Sequence, residues 1–368
     1  MLGKYIHGSP LSSAARAAIP AGKRLFLPIA SLARRLARPL WPKSLVAEVG
    51  VRADMLFDWT VARLSVNANY DAIVGYEVAS AQMAGAAKRM GIRFVLDAAS
   101  VHHTFQDAHV GRSTRQVFHS KVCARKDLEI AAADLVLTCS PLAASTYIAA
   151  GVDANKIAPM CLGTTVAAPE PPTEVPIAGK AKLLFVGRIT RVKGFDVLLN
   201  ALEQLAAGGK AFETTMIANL LDADAELGDQ LRATSRRLPI KVLQPMPPSQ
   251  LAAVYRSNDI LVLPSRFDSF GLVVAEALSH GCGVVVSPNV GASMLVQERF
   301  NGMTLKNGTP AELAAALAPI IDDITSWRAR RDLIRRGAAA LDWHHYRTAV
   351  AHRIAAHLST ISASDRAH

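Results

Sequence analysis

Short apolar runs of strand length alternate along this chain with longer stretches whose hydrophobic residues recur three and four apart. In the first half, the runs at 71–75 (DAIVG), 93–97 (RFVLD), 134–139 (DLVLTC) and 157–162 predict buried strands. Helices are predicted over 53–66, 78–90, 113–133 and from Pro141 to Gly151. Gly91 and Gly151 serve as stops, and Ser140 caps the last helix with Pro141 at its first position. The loop 98–104 carries His102 and His103. Residues 164–179, with four prolines, have no period and read as a linker. The alternation then restarts. Strands are predicted at 182–186, 214–217, 240–243, 260–263 and 283–287, and helices at 194–207, 225–237, 249–257, 272–279 and 310–322. A basic helical segment follows from 326 to about 359. Strands alternating with helices predict an α/β chain with parallel sheets. The expected division is a first domain over 1–165, a linker over 166–179, a second domain over 180–340 and a terminal helix over 341–368 packing back on the first.

Composition narrows the class. The chain of 368 residues is 51% hydrophobic and 6% aromatic, enough for two cores. No apolar run approaches the ~18 residues of a membrane span. The apolar residues near Met1 are interrupted by Lys4, His7 and Pro10, so no secretory signal is expected. Cys123, Cys139, Cys161 and Cys282 show neither CxxC nor metal spacing and read as reduced thiols in a cytoplasmic protein.

The net charge of +11 is uneven. Residues 1–50 carry five prolines, little strand signal, and eight Lys or Arg against Glu48 alone. Within them, 31–40 (SLARRLARPL) places Leu32 and Leu36 on one helical face, with Arg34, Arg35 and Arg38 off it. Such a segment suits an anionic membrane surface, so a peripheral position on the inner face of the membrane is one expectation. A solvated basic helix face is the plainer alternative. Nucleic acid is not expected as a partner, because no binding motif or aromatic interleaving accompanies the charge.

Two stretches carry candidate chemistry. Residues 261–278 (LVLPSRFDSFGLVVAEAL) read as strand, loop and helix. A helix start at the carboxyl edge of a parallel sheet offers unpaired N–H groups to an anion. Asp268 and Glu276 flank it; two carboxylates there repel phosphate and are suited to accept hydrogen bonds from hydroxyls. Residues 185–196 (FVGRITRVKGFD) repeat the strand-to-helix form, with Arg188 and Lys193 at the two ends of the loop. One planar fork and one point charge suit a diphosphate. Neither GxxxxGK[ST] nor GxGxxG is present, which argues against a P-loop and a dinucleotide site. Taken singly, each stretch also reads as an ordinary basic turn or amphipathic helix.

Together they are more specific. The pair GR-x4-KG (Gly187, Arg188, Lys193, Gly194) and PS-x2-D-x-FGL-x3-EA (Pro264, Ser265, Asp268, Phe270, Gly271, Leu272, Glu276, Ala277) resembles the retaining glycosyltransferases of family 4. The resemblance implies the GT-B fold, two Rossmann-like parallel-sheet domains facing across a cleft. It implies that Arg188 and Lys193 grip the donor diphosphate. Gly187 belongs to the same donor loop. Phe270, Gly271 and Leu272 would offer backbone N–H groups, Asp268 would hold sugar hydroxyls, and Glu276 the nucleotide ribose. His102 would face the donor sugar, with His103 as a competitor for that role. The family's acidic pair usually begins with Glu, and Asp268 is one methylene shorter. The family's opening strand and glycine-rich loop have no visible counterpart in residues 1–50, as in a diverged region or a start inside a longer protein.

The expected partners are a nucleotide-diphosphate sugar and a glycan or lipid-linked acceptor. No residue of the two stretches is an obvious covalent nucleophile, which fits front-face displacement. No DxD-like motif stands out, so neither metal nor other cofactor is expected. Two alternatives belong to other classes: a GT-B nucleotide-sugar epimerase, and a non-catalytic sugar-nucleotide-binding subunit.

Overall fold

Each of the nine predicted apolar runs is a strand. The structure, a computed structural model, describes residues 5–7, 19–37, 39, 41–65, 70–110, 116–166 and 179–364. The runs of the first half form β3 (Ala72–Tyr76), β4 (Arg93–Ala98), β5 (Leu135–Thr138) and β6 (Ile157–Pro159). They make a four-stranded sheet in sequence order, every pair parallel. The second half forms β7 (Ala181–Val186), β8 (Phe212–Ile217), β9 (Ile240–Leu243), β10 (Ile260–Leu263), β11 (Gly283–Val286) and β12 (Gly302–Thr304). Their order is β12-β11-β10-β7-β8-β9, again all parallel. All residues of β5, β10 and β11 are buried, as in a parallel sheet covered by helices on both faces. That is why these strands read as continuous apolar runs and not as alternation.

Four expectations need correction. Residues 1–50 do contain strands: β1 (Tyr5–His7) and β2 (Arg24–Phe26) pair in parallel as a separate two-stranded sheet. Three residues are too few to show a period. The helix expected from 53 begins ten residues earlier, as Lys43–Leu64 after Pro42. The loop expected over 98–104 already turns into the helix His103–Val110. The single C-terminal helix is three: Ile324–Ala329, Arg331–Gly337 and Trp343–Ser364. Most of the expected linker lies outside the described residues.

Two segments cross between the sheets. Thr164 donates its N–H to the Leu341 carbonyl at 2.6 Å and forms a parallel bridge with Asp342. The helix Trp343–Ser364 then packs Val350 and Ile354 against Val95, Leu135, Leu137 and Ala158 of the first sheet.

Candidate active site

The strand order of the second sheet reverses between β7 and β10, which lie side by side. Ligands of open parallel sheets bind outside the carboxyl ends of the strands at such a switch point. The two loops singled out by sequence are the ones that leave these strands: 187–194 after β7, and 264–271 after β10.

The loops are built against each other. Gly194 has φ 64°, and a Cβ there would lie 1.7 Å from the Pro264 carbonyl oxygen. Only glycine permits both the backbone turn and the approach. Arg266 donates its N–H to the Val192 carbonyl at 2.8 Å. Its guanidinium spans the Asp196 carboxylate at 2.8 and 2.7 Å and also donates to the Arg191 carbonyl. Burial opposes the Asp196 charge, but the Arg266 hydrogen bonds and charge prevail and hold its carboxyl below the ordinary value.

Across this clamp, Lys193 Nζ meets Asp268 Oδ2 at 2.6 Å. The structure thus joins a residue assigned to phosphate with one assigned to sugar. Both side chains retain partial exposure, 21% and 18%, so a ligand can reach the pair. Arg188 is exposed on the same loop, and no described residue pairs with its guanidinium. The Asp268 main chain is fixed on both sides: its N–H bonds the Asn289 carbonyl at 2.8 Å, and its carbonyl accepts from Gly291 at 2.9 Å. Phe270 puts its ring into the core, which leaves its main chain for any ligand contact. Gly271, at φ 88°, opens the helix Leu272–Ser279, and no side chain caps it. Its first N–H groups therefore lack an intrahelical acceptor and carry the positive end of the helix dipole.

Glu276 stands one turn further along. It lines a cavity of about 510 Å³ together with Leu272, Tyr255, Thr164, Thr165 and Trp343. Tyr255 donates its hydroxyl to Glu276 Oε2 at 2.7 Å. Burial, then the Glu276 charge, pushes the phenol upward, so it stays protonated and remains a donor. Arg188, Lys193 and Asp268 do not line this cavity. The site thus has two parts, a half-open, mostly apolar chamber at Glu276 and a charged mouth at the loops.

The first domain meets the same loop at Ser269. Val101 donates its N–H to Ser269 Oγ at 3.0 Å. Ser140 donates its hydroxyl to the Ser269 carbonyl at 2.7 Å, and the Cys139 thiol donates to the same oxygen at 3.2 Å. A Cβ at Gly291 would lie 2.2 Å from that carbonyl and 2.5 Å from Ser140 Oγ, so three segments converge there. His102 follows Val101 and Asp268 precedes Ser269, so each candidate is the sequence neighbour of a residue in this contact.

The two histidines differ. His102 is 6% exposed, with its N–H on Thr146 Oγ1 at 2.9 Å and Nδ1 against Thr104 Oγ1 at 2.8 Å. Burial, and then the neighbouring His103, lowers its pKa, so the imidazole is neutral at pH 7. His103 turns to Asp127, with Nε2 at 2.7 Å from Oδ1. Sequence reasoning missed Asp196, Tyr255, Arg266 and Ser269. Arg266 and Ser269 stand at unassigned positions within the second motif, and their partners are distant in sequence.

Comparisons with known proteins bear on this geometry. Residues 180–323 match the family model for glycosyl transferases group 1. The D-inositol 3-phosphate glycosyltransferase of Corynebacterium kroppenstedtii is 33% identical over 147 residues, covering 38% of this chain and 33% of that protein. The protein of the same name from Nocardia farcinica is 31% identical over 187 residues, covering 45% of this chain and 38% of its own length. The matches therefore span only about a third of the length of these relatives. Among solved structures, the Anabaena HepE protein in complex with UDP superposes with a TM-score of 0.64 at 19% identity, covering 81% of each chain. Sucrose-phosphate synthase from Thermosynechococcus elongatus gives 0.66 at 18% identity, covering 87% of this chain and 81% of its own. The fold is GT-B, and 180–323 is a glycosyl transferases group 1 domain.

Proposed function

We propose that this chain moves a sugar from a nucleotide-diphosphate sugar to a glycan or lipid-linked acceptor with retention of anomeric configuration, in the manner of family 4. The observation that supports this reading best is the Lys193–Asp268 pair beside an uncapped helix start at the strand switch point. As the glycosidic bond breaks, charge grows on the departing diphosphate. Arg188, Lys193 and the N–H groups around Gly271 and Leu272 stabilise that charge, and fixed donors of this kind are each worth about 3 kcal/mol. Two side-chain cations take the part that a divalent metal plays at other diphosphates, so transfer proceeds without one. Asp268, held by Lys193, accepts from the sugar hydroxyls. His102, neutral and buried, addresses the sugar from the first domain. Asp268 is committed to an ion pair, and front-face displacement accounts for retention without a covalent intermediate.

The chamber at Glu276 takes the nucleoside. UDP in the HepE structure makes uridine nucleotides the first donors to try. The test is incubation with labelled nucleotide sugars and a polysaccharide or membrane extract. Label in a larger product supports transfer. An isomerised donor means an epimerase, and an unchanged donor that nonetheless binds means a non-catalytic subunit.

Glu276→Gln is expected to weaken nucleotide-sugar binding roughly tenfold to a hundredfold, because a charged acceptor for a buried hydroxyl is worth about 1.5–3 kcal/mol. Titration calorimetry measures it. Unchanged affinity in a folded variant removes Glu276 from the ribose.

An anionic membrane surface is the proposed second partner. In the helix Ile29–Ala37 the small residues Ala30 and Ala37 are buried, while Leu32 and Leu36 are exposed. Phe26 and Trp41 are exposed nearby in sequence. Arg34 pairs with Asp54 and Arg35 is exposed; Arg38, Arg16 and Lys4 lie outside the described residues. Among the described residues no helix is long and apolar enough to cross a membrane. Co-sedimentation with anionic vesicles is expected at low salt and is expected to fall steeply as salt rises. Indifference to such vesicles at low salt would contradict the proposal and favour water-soluble acceptors.

A further inference from the structure

Beside the candidate active site, two helices of the first domain face each other with a different chemistry. His119, Cys123 and Asp127 fall at every fourth position of the helix Gln116–Ala132, so they share one face. His103 and Asp107 do the same on the helix His103–Val110. The structure brings these faces together. Asp107 Oδ1 lies 2.7 Å from His119 Nε2, which lies 3.4 Å from Cys123 Sγ. His103, Asp107 and Cys123 each offer a ligand atom within 4.8 Å of the others.

The chemistry of these groups is what a borderline-soft divalent ion takes. A tetrahedral zinc site binds thiolate sulfur at about 2.3 Å and imidazole nitrogen or carboxylate oxygen at about 2.0–2.2 Å, which sets neighbouring ligand atoms roughly 3.3–3.6 Å apart. The His119–Cys123 spacing of 3.4 Å already meets this. We infer that Asp107, His119, Cys123 and His103 form a zinc site, with Asp127 as the outer partner of His103. His103 Nε2 is engaged with Asp127, which leaves Nδ1 for the ion, the arrangement in which a ligating imidazole gives its other N–H to a carboxylate. Access is open from the Asp107 and His119 side, where the side chains are 42% and 44% exposed, while His103 is 12% exposed.

The ion would be structural. It would pin the first turn of the helix His103–Val110 to its neighbour, and His102 immediately precedes that turn. It takes no part in sugar transfer and does not depend on the proposed reaction. Cysteine-to-cysteine spacing cannot reveal such a site, because it holds one cysteine. The legible signal is His-x3-Cys-x3-Asp within a helix.

The test uses the full chain stripped with a chelator and titrated with cobalt(II), which reports geometry and thiolate ligation by its absorption. One equivalent is expected to give intense tetrahedral ligand-field bands and a thiolate-to-cobalt charge-transfer band, all displaced by zinc. Cys123→Ser is expected to lose the charge-transfer band and to bind cobalt far more weakly, while Cys161→Ser keeps both. His119→Gln carries the same comparison through the ligand-field bands if Cys123→Ser does not fold. Weak octahedral absorption in the wild-type chain, or a charge-transfer band that survives in folded Cys123→Ser, would overturn the site and leave two histidine–aspartate pairs stapling the helices.

Discussion

Arg188→Ala is expected to lower turnover by about a hundredfold, the loss typical of one preorganised donor to a developing anion, while the fold persists. The side chain is exposed and unpaired among the described residues, so its removal leaves no cavity and no buried charge. If its contact forms with charge that grows in the transition state, turnover falls more than the Michaelis constant for donor rises. Lys193→Ala is expected to be worse. It removes a cation and also leaves the Asp268 carboxylate, 2.6 Å away in the parent, without its counter-charge beside an incoming diphosphate. Donor binding and turnover then suffer together. Adding Asp268→Ala to Lys193→Ala is expected to be strongly non-additive, because the two residues share one interaction. Steady-state transfer rates with circular dichroism as the folding control measure all three. Near-normal turnover in folded Arg188→Ala and Lys193→Ala would take this loop out of the active site.

Gly194→Ala is expected to be the most damaging single methyl group in the second domain. Its φ of 64° costs an L-residue roughly 1–2 kcal/mol. The added Cβ would overlap the Pro264 carbonyl at 1.7 Å, and overpacking of this kind costs about 1–3 kcal/mol more. The obstacle is backbone, which cannot rotate aside. Relief has to come from spreading the loops after β7 and β10, which separates Lys193 from Asp268. The predicted result is a melting temperature lower by several degrees and loss of donor binding. Gly209→Ala is the control: its φ is 73°, yet nothing lies within 4 Å of its Cβ, so only the backbone term applies. Equal behaviour of the two variants would mean that the loops are not tightly joined.

Sequence and structure agree best where local physics is strongest. β10 and β11 are buried on both faces, and their continuous Leu and Val runs announce it. Pro141 after Ser140 marks a helix start, and the Ser140 side chain does accept from Ala143 N–H. The short strands β1 and β2 were not legible, since three residues carry no period. Within the site, glycines and charges were visible as two motifs, but their joining was not. Nothing in the spacing indicates that Gly194 touches Pro264, that Arg266 bridges to Asp196, or that Ser269 gathers Val101, Cys139 and Ser140. The first two contacts arise from the order β10-β7 in the sheet and the third from the first domain meeting the loop, properties of the fold and not of either stretch. The same holds for Tyr255, an ordinary helix residue in sequence that becomes the partner of Glu276.

The central claim is that the switch-point loops hold a nucleotide-diphosphate sugar, and the shift of melting temperature with such donors tests it most directly. A ligand at a hundred times its dissociation constant stabilises the folded state by about 2.7 kcal/mol, a shift of several degrees. At least one nucleotide-diphosphate sugar is predicted to raise the midpoint of the wild-type chain, and to fail to do so with folded Lys193→Ala. A wild-type chain indifferent to every such donor, or a Lys193→Ala chain stabilised as fully as the parent, would contradict the account.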